Sequence, residues 1–193
     1  MKKIISFALV LAVLALCFCS CGKKTYTAKI EIENYGTITL ELYRNIAPIT
    51  VDNFVKLAKS GFYNGLTFHR IINGFMMQGG DPLGNGTGGN TDEYGNKITI
   101  KGEFKSNGVD NTISHRRGVI SMARSSNSYN SASSQFFIMQ QDASYLDGEY
   151  AAFGQVTSGM EIVDKICSDA VPVDGNGTIP AENQPKIISI TIE

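Results

Sequence analysis

The feature that most constrains the fold is a strict alternation of apolar and polar residues over residues 27–43. The apolar positions on the two sides of Asn34-Tyr35-Gly36 are Ile30, Ile32, Ile38, Leu40 and Leu42. Successive side chains of a strand point to opposite faces, so each arm of this segment has one apolar face, and the Asn/Gly segment favours a tight turn. The sequence therefore predicts a β-hairpin that needs further elements to cover its apolar face.

Further strands are predicted by short apolar or alternating runs bounded by glycine and asparagine. They are residues 67–78 with a bend at Gly74, and residues 97–100, 119–123, 135–139, 151–156 and 187–192. Residues 79–111 are otherwise rich in Gly, Asn and Asp, which predicts long surface loops.

Two helices are predicted by apolar residues at helical spacing. The first carries Val51, Phe54, Val55 and Ala58, with an N-cap near Thr50 and a stop at Gly61. The second follows Ser158-Gly159-Met160-Glu161, which has capping-box spacing, and its apolar stripe includes Cys167. Six to eight strands with two separated helices predict a mainly β fold, a closed antiparallel barrel capped by the helices.

Composition sets limits on partners. The 193 residues carry a net charge of -1, and no Lys/Arg run is longer than the pairs Lys2-Lys3, Lys23-Lys24 and Arg116-Arg117. A nucleic-acid-binding surface normally needs a clustered basic patch. We therefore expect no nucleic-acid partner and a single folded domain.

The N-terminus has the pattern of an export signal. Lys2 and Lys3 precede an apolar run over residues 4–18, which is short for a membrane span. Cys21, between Ser20 and Gly22, resembles the lipidated cysteine of bacterial lipoproteins, and Cys17 is the alternative acceptor. The prediction is a signal peptide over residues 1–20, lipidated Cys21 with a tether to residue 27, a folded domain over residues 28–193, and an extracytoplasmic protein anchored to the bacterial cell membrane. A plain cleaved signal and an uncleaved anchor are the alternatives.

Several familiar chemistries are excluded by the context of their motifs. The GxGxxG letters at residues 84–89 follow Asp81-Pro82 rather than a strand and lead into no helix, so they are not a dinucleotide site. His69 and His115 are the only histidines, and neither has Cys or carboxylate neighbours at ligand spacing, so no metal is expected. Both are interpreted as structural. We expect no cofactor.

Five segments in order resemble the cyclophilin family of peptidyl-prolyl isomerases. They are FHRIINGFMMQGGDP at 68–82, GTGG at 86–89, GVISMAR at 118–124, SSQFFI at 133–138 and YLDGEYAAFGQV at 145–156. The resemblance implies an eight-stranded barrel with two helices, and rotation of Xaa-Pro bonds in proline-containing polypeptides. Because this rotation makes and breaks no covalent bond, the site needs neither a nucleophile nor an acid/base pair.

The resemblance also implies roles for individual residues. The catalytic group would be Arg70, Gln78 and Phe75. The substrate-binding residues would be Met76, Ala123, Arg124, Gln135, Phe137, Tyr145, Leu146 and Tyr150. Arg124 would act largely through its backbone.

Three positions depart from common family patterns. Tyr145 stands where many members have tryptophan, Tyr150 where histidine is common, and Arg124 where asparagine is common, which leaves substrate preference open. A non-catalytic proline-peptide-binding or holdase module and a scaffold lipoprotein remain the alternative functions. We expect a monomer.

Overall fold

Eight antiparallel strands and two helices make up the part of the chain that the computed structural model describes, residues 25–193. The strands are β1 (Thr25–Ile32), β2 (Gly36–Tyr43), β3 (Thr67–Ile72), β4 (Met76–Asp81), β5 (Val119–Met122), β6 (Phe136–Met139), β7 (Ala152–Ser158) and β8 (Ile187–Ile192), and the helices are α1 (Pro48–Lys59) and α2 (Met160–Asp169). Short 3-10 turns occupy Lys105–Asn107, Ser144–Leu146 and Ala181–Asn183. Strand β1 begins three residues before the predicted start of the domain.

The predicted hairpin is confirmed by β1 and β2. The two strands pair from Thr25 with Tyr43 to Ile32 with Gly36. Asn34 and Gly36 have φ angles of 63° and 116°, a region that glycine and asparagine enter at least cost. The alternating isoleucines and leucines of both strands are buried, as the pattern requires.

The sheet is an open, strongly curled half-barrel, so the prediction of a closed barrel is wrong. Its strand order is β3-β4-β6-β5-β7-β2-β1-β8, which leaves β3 and β8 at the two edges. Near the start of β3, backbone hydrogen bonds from Phe68 to Pro185 and from Ile187 to Leu66 join these edges. Farther along, the edge of β3 is occupied by Gly177 and Ile179, which bond to Ile71 and His69. Since these positions are taken, β8 cannot complete a ladder with β3.

The sheet separates two apolar clusters, because alternate residues of each strand point to opposite faces. The inner cluster joins the sheet to α1, α2 and a group of aromatic rings, which are Phe54, Tyr63, Phe68, Phe136 and Phe153. The smaller outer cluster comprises Met76, Val119, Phe137, Met139, Ala143 and Ala152. This second cluster gives the outer face of the sheet an apolar surface on which a site can be built.

Both predicted helices are present, but α1 begins at Pro48, before its predicted N-cap, and both helices are capped differently from the prediction. The N-cap of α1 is Ala47, and Thr50 lies inside the helix. The carboxylate of Glu103 accepts hydrogen bonds from the backbone N–H groups of Ile49 and Thr50, at 3.1 and 2.7 Å, and from the Thr50 hydroxyl. A negative group at a helix N-terminus is favoured by the helix dipole, so a residue from a distant loop supplies the cap.

The capping box predicted for α2 is wrong. Ser158 is the last residue of β7, and the N-cap is Gly159, with a φ of 92° and no side-chain hydrogen bond. The strand predicted at residues 97–100 is also wrong. Ile98 bonds to Asn90 while Ile100 bonds to Ala132, so this segment changes partners before a ladder can form.

The described residues leave some predictions untested. The signal peptide and Cys21 fall within residues 1–24, outside the part described. Over residues 25–193, no helix has the length and apolar character needed to cross a membrane. The same range contains no cluster of three or more His, Cys, Asp or Glu side chains arranged to hold a metal ion.

Candidate active site

Arg70 and Gln78 face each other across the pairing of β3 with β4. Within β3, the pairing register shifts between Phe68 and Arg70, so these two residues do not share a face of the sheet. Phe68 therefore lies in the inner cluster, and Arg70 projects on the side of Ile72 and the outer cluster. The simple alternation that would place Phe68 and Arg70 on one face is corrected by this bulge.

Two glycines after Gln78 let β4 approach its neighbours closely. A Cβ on Gly79 would lie 2.7 Å from the carbonyl oxygen of Thr67, and one on Gly80 would lie 2.7 Å from that of Ser134. Gly80 also has a φ of 81°, which strongly favours glycine. The glycine pair therefore fixes the position of β4, and with it the position of Gln78.

A directional chain of hydrogen bonds leads from a loop to Arg70. Nε2 of Gln135 donates to the carbonyl oxygens of Gly86 and Gly88, at 3.0 and 2.9 Å. Nε2 of Gln78 donates to Oε1 of Gln135 at 2.9 Å, and Nη1 of Arg70 donates to Oε1 of Gln78 at 3.3 Å. Since each amide uses its NH₂ group on one side and its oxygen on the other, the chain presents an acceptor to Arg70.

A second support for Arg70 comes from the loop before β8. Nε of Arg70 donates to the backbone carbonyl of Asn176 at 2.7 Å. That loop is held by Asp174, whose carboxylate accepts from the N–H groups of Asn176 and Thr178 and from the Thr178 hydroxyl. Nη2 of Arg70 donates to no group among residues 25–193, so one terminal nitrogen of a fixed guanidinium remains for a ligand.

The electrostatic setting of Arg70 is that of a partly buried cation. Burial lowers its pKa, and the Tyr150 phenol, Asp174 and the Tyr145 phenol act in the opposite direction. An arginine stays protonated through such shifts. Reduced hydration strengthens any hydrogen bond that the guanidinium makes to a ligand.

Beside Arg70 lies a cleft of about 240 Å³ that brings together most of the predicted site residues. Its lining consists of Arg70, Phe75, Met76, Gln78, Ala123, Arg124, Phe137, Leu146 and Tyr150. Met76 and Phe137 are buried and belong to the outer apolar cluster. Such a surface suits an apolar ring that carries no N–H group.

Tyr145 is the one predicted substrate-binding residue that lines neither this cleft nor the polar cavity that adjoins it. Its side chain is 71% exposed, and it stacks on Phe75 with ring centroids 6.1 Å apart. Tyr150 contacts Phe137 edge to face at 5.9 Å. The two tyrosines therefore differ in position, with Tyr150 in the wall and Tyr145 on the outside of the rim.

The Arg124 side chain is engaged by the protein itself. Its guanidinium donates to the backbone carbonyls of Glu149, Ser125 and Ser126, and it reaches the Glu149 carboxylate at 3.4 Å. It also lies over three rings, those of Phe104, Tyr129 and Tyr150, at 5.4, 5.1 and 4.7 Å. The charge of Arg124 is therefore held by groups of the protein, and its predicted role in binding a ligand through its backbone stays a prediction.

A second, more polar cavity of about 180 Å³ adjoins the cleft. It shares Gln78, Ala123 and Arg124 with the cleft and is completed by Gly86, Gly88, Lys97, Ser125, Ser131, Ser133 and Gln135. The predicted residues Ala123 and Gln135 thus lie along a continuous groove that starts at Arg70.

His115 supports the cleft by packing against Phe137 in its wall. The sequence indicated a structural histidine but not this position. It stacks on Phe137 with centroids 6.0 Å apart, and its ring nitrogens contact Asp147 and Ser121 at 3.0 Å. Burial lowers the pKa of His115, while the hydrogen bond and charge of Asp147 oppose this. We assign a neutral ring that donates from Nδ1 to Asp147, so the contact is a hydrogen bond rather than an ion pair.

Asp174 and Asn176 were missed by the sequence analysis. The Asp174-Gly175-Asn176-Gly177 segment carries a general turn signal, but no local pattern indicates that its backbone reaches an arginine 106 residues away. Only the packing of this loop against β3 reveals the connection.

Comparisons with known proteins agree with the geometry. The family model of cyclophilin type peptidyl-prolyl cis-trans isomerase/CLD matches residues 27–192. A peptidyl-prolyl cis-trans isomerase of Helicobacter pylori is 47% identical over 145 residues, which are 74% of this chain and 81% of that protein. Peptidyl-prolyl cis-trans isomerase B of Bacillus subtilis is 43% identical over 145 residues, 75% of this chain and 93% of that protein.

A solved structure has the same architecture. The crystal structure of a Cryptosporidium parvum cyclophilin type peptidyl-prolyl cis-trans isomerase in the presence of the dipeptide Ala-Pro has a TM-score of 0.73 and 33% identity. The match covers 86% of this chain and 98% of that one. The overall fold of residues 25–193 is therefore one that a solved cyclophilin-type structure also has.

Proposed function

This chain belongs to the cyclophilin-type peptidyl-prolyl cis-trans isomerases, and from that premise we propose that Arg70 stabilises the twisted peptide bond and that the enzyme serves exported proteins at the outer face of the membrane. The isomerase activity follows from the family. The roles of single residues and the location are the proposed part.

The reaction is rotation about an Xaa-Pro bond. Resonance of the nitrogen lone pair raises the barrier to about 18–20 kcal/mol, and the uncatalysed process takes tens to hundreds of seconds. In the planar ground state the prolyl nitrogen is a poor acceptor. At the twisted transition state its lone pair is restored, so a hydrogen bond donated to it is stronger there, and only such differential binding lowers the barrier.

The observation that carries this proposal is the fixed Arg70 guanidinium beside the apolar cleft. Gln78 and the Asn176 carbonyl hold Nη1 and Nε, and Nη2 has no partner among the described residues. With a proline ring seated against Met76 and Phe137, Nη2 is the donor available to the prolyl nitrogen. The position is set before the substrate arrives, so no reorganisation is needed at the transition state.

The expected contribution of this hydrogen bond is limited. A charge-assisted bond is worth about 1.5–3 kcal/mol, which corresponds to roughly ten- to a hundredfold in rate. Seating of the proline ring and fixation of the flanking carbonyls must supply the remainder. The neighbouring backbone of Ala123 and Arg124 lies on the groove wall and provides groups for this.

The test compares the full chain with Arg70→Ala and Arg70→Lys in a cis-to-trans assay on a short Xaa-Pro peptide. We expect kcat/KM to fall at least tenfold in Arg70→Ala, and to recover little in Arg70→Lys because an ammonium cannot occupy both Nη positions. Unchanged turnover in folded Arg70→Ala would contradict the assignment. The non-catalytic holdase alternative predicts that peptide binding persists without any acceleration by the wild type.

The proposed location is supported by the N-terminal sequence, with its charged start, apolar run and Cys21. If Cys21 is the lipid acceptor, radiolabelled fatty acid is incorporated into the wild type and not into Cys21→Ser, and Cys17→Ser serves as the matched control. Incorporation into Cys21→Ser that disappears in Cys17→Ser would move the anchor to Cys17. No incorporation into the wild type would contradict the lipid anchor.

A further inference from the structure

A third cavity, of about 560 Å³, lies on the loops beyond β4. We call it the distal cavity, and its wall includes Phe62, Pro82, Leu83, Gly88, Thr91 and Lys97. Leu83 is 65% exposed, and nothing among residues 25–193 covers it. A contiguous apolar surface with a polar rim is typical of a binding site rather than of an idle surface.

The distal cavity continues the groove that starts at Arg70. The proline cleft shares Gln78, Ala123 and Arg124 with the second cavity. The second cavity in turn shares Gly88 and Lys97 with the distal cavity. The second and distal cavities therefore adjoin at Gly88 and Lys97, and an extended polypeptide bound with its proline beside Arg70 would pass these two residues to reach Leu83.

The first wall of the distal cavity is held by Asp81. Its carboxylate accepts hydrogen bonds from the N–H groups of Leu83, Asn85 and Gly86, at 2.9, 3.2 and 2.6 Å. A Cβ on Gly88 would lie 1.9 Å from Oδ1 of Asp81, so only glycine lets the loop pass this close. Leu83 is thereby presented on a fixed backbone.

The second wall is a short turn closed by Asp92. Its side chain accepts from the N–H groups of Tyr94 and Asn96 and from the Asn96 amide, and Thr91 bridges to Lys97. A pocket whose walls are already ordered binds a ligand without a further loss of loop entropy. Both walls of the distal cavity meet this condition.

We propose that the distal cavity binds a bulky apolar side chain of the substrate polypeptide, several residues to the N-terminal side of the isomerised proline. The direction rests on the proposed function: the resemblance to cyclophilins implies that Ala123, Arg124 and Gln135 line the groove for the residues before the proline, and all three line the second cavity. Unfolded chains expose such side chains together with their prolines, so the distal cavity favours long apolar segments over short peptides.

The test uses two peptides with the same Xaa-Pro centre, a short one and one extended at its N-terminal side by a leucine-containing segment. For the full-length wild type, we expect kcat/KM for the long peptide to exceed that for the short one by about tenfold, the effect of burying one large apolar side chain. In Leu83→Glu this ratio falls close to one. Val171→Glu is the matched control, because Val171 is 70% exposed and lines neither the groove nor the distal cavity, and it keeps the wild-type ratio.

A wild-type ratio of one, or an unchanged ratio in Leu83→Glu, overturns the distal cavity while leaving the isomerase assignment intact. Loss of short-peptide turnover in Arg70→Ala tests the other proposal separately. A second measurement places a photo-crosslinking apolar residue at the upstream position of the long peptide. Crosslinks mapped to residues 82–97 support the proposal, whereas crosslinks elsewhere, or between two copies of the chain through this segment, overturn it.

Discussion

Nε of Arg70 donates to the backbone carbonyl of Asn176 at 2.7 Å, and the two residues are 106 positions apart in the chain. The loop that carries Asn176 also covers the free edge of β3, through the bond from Ile71 to Gly177. The same loop therefore keeps the sheet from closing and fixes the orientation of the arginine beside the cleft.

Asp174→Ala should lower kcat about three- to tenfold with a smaller change in KM, because the Asn176 carbonyl loses its fixed place and Arg70 its orientation. Asp174 is a positioning residue that reaches the substrate only through Arg70. The measurement is steady-state isomerisation with a thermal melt of each variant. Asp52→Ala is the control, since it removes an exposed carboxylate that pairs with Arg44 and lines neither the cleft nor the second cavity. Equal kinetics in the two variants would count against a positioning role.

Gln78 and Gln135 should act as one unit. Gln78→Leu removes the acceptor that holds Nη1 of Arg70 and should lower kcat/KM about tenfold. Gln135→Leu should cost less, because its effect passes through Gln78. In a double-mutant cycle the double variant should be little worse than Gln78→Leu alone, as expected for neighbours in one hydrogen-bond network. Additive losses would show that the two glutamines act separately.

Arg124→Lys should destabilise the fold by about 2 kcal/mol, because an ammonium cannot satisfy three carbonyl groups and pack over three rings together. Denaturant unfolding measures this change. Arg44→Lys changes an arginine whose pairing with Asp52 is exposed, and it should have little effect. If the two variants lose the same stability, the interpretation of Arg124 as a structural clamp is wrong.

His69 should make the protein less stable in acid. Its ring is buried, and neither nitrogen has a hydrogen-bond partner among the described residues. Burial lowers the pKa of His69, Asp81 opposes this, and Arg70 reinforces it. The unfolded chain, with a histidine pKa of about 6.5, then binds more protons than the folded one, so stability is complete above about pH 6.5 and declines as pH falls towards the folded pKa.

The melting temperatures of wild type and His69→Leu at pH 7.5 and pH 5 test this dependence. The difference between the two pH values should shrink in His69→Leu, which cannot be protonated and gives up no hydrogen bond within the described residues. Some difference should remain, because the pKa of His115 is lowered in the same direction. An unchanged difference would assign the acid sensitivity to other groups.

Local patterns in the sequence were sufficient for most of the framework. The hairpin of β1 and β2, the bend at Gly74 and the apolar stripes of α1 and α2 follow from residue spacing and turn chemistry, which act over a few positions. The resemblance to cyclophilins likewise rests on short contiguous segments, and the cleft gathers Arg70, Gln78 and most of the residues named from those segments.

The tertiary structure decided what depends on distant partners. Glu103, which is 53 residues from Thr50 in the chain, caps α1. Residues 177–179 occupy the edge of β3 and leave the sheet open. A bulge turns Phe68 inward while Arg70 faces the cleft. Sequence spacing indicates which side chains share a local face only where the strand is regular. It does not fix which remote backbone group will satisfy a buried donor or a free edge, because that choice is made only when the whole chain packs.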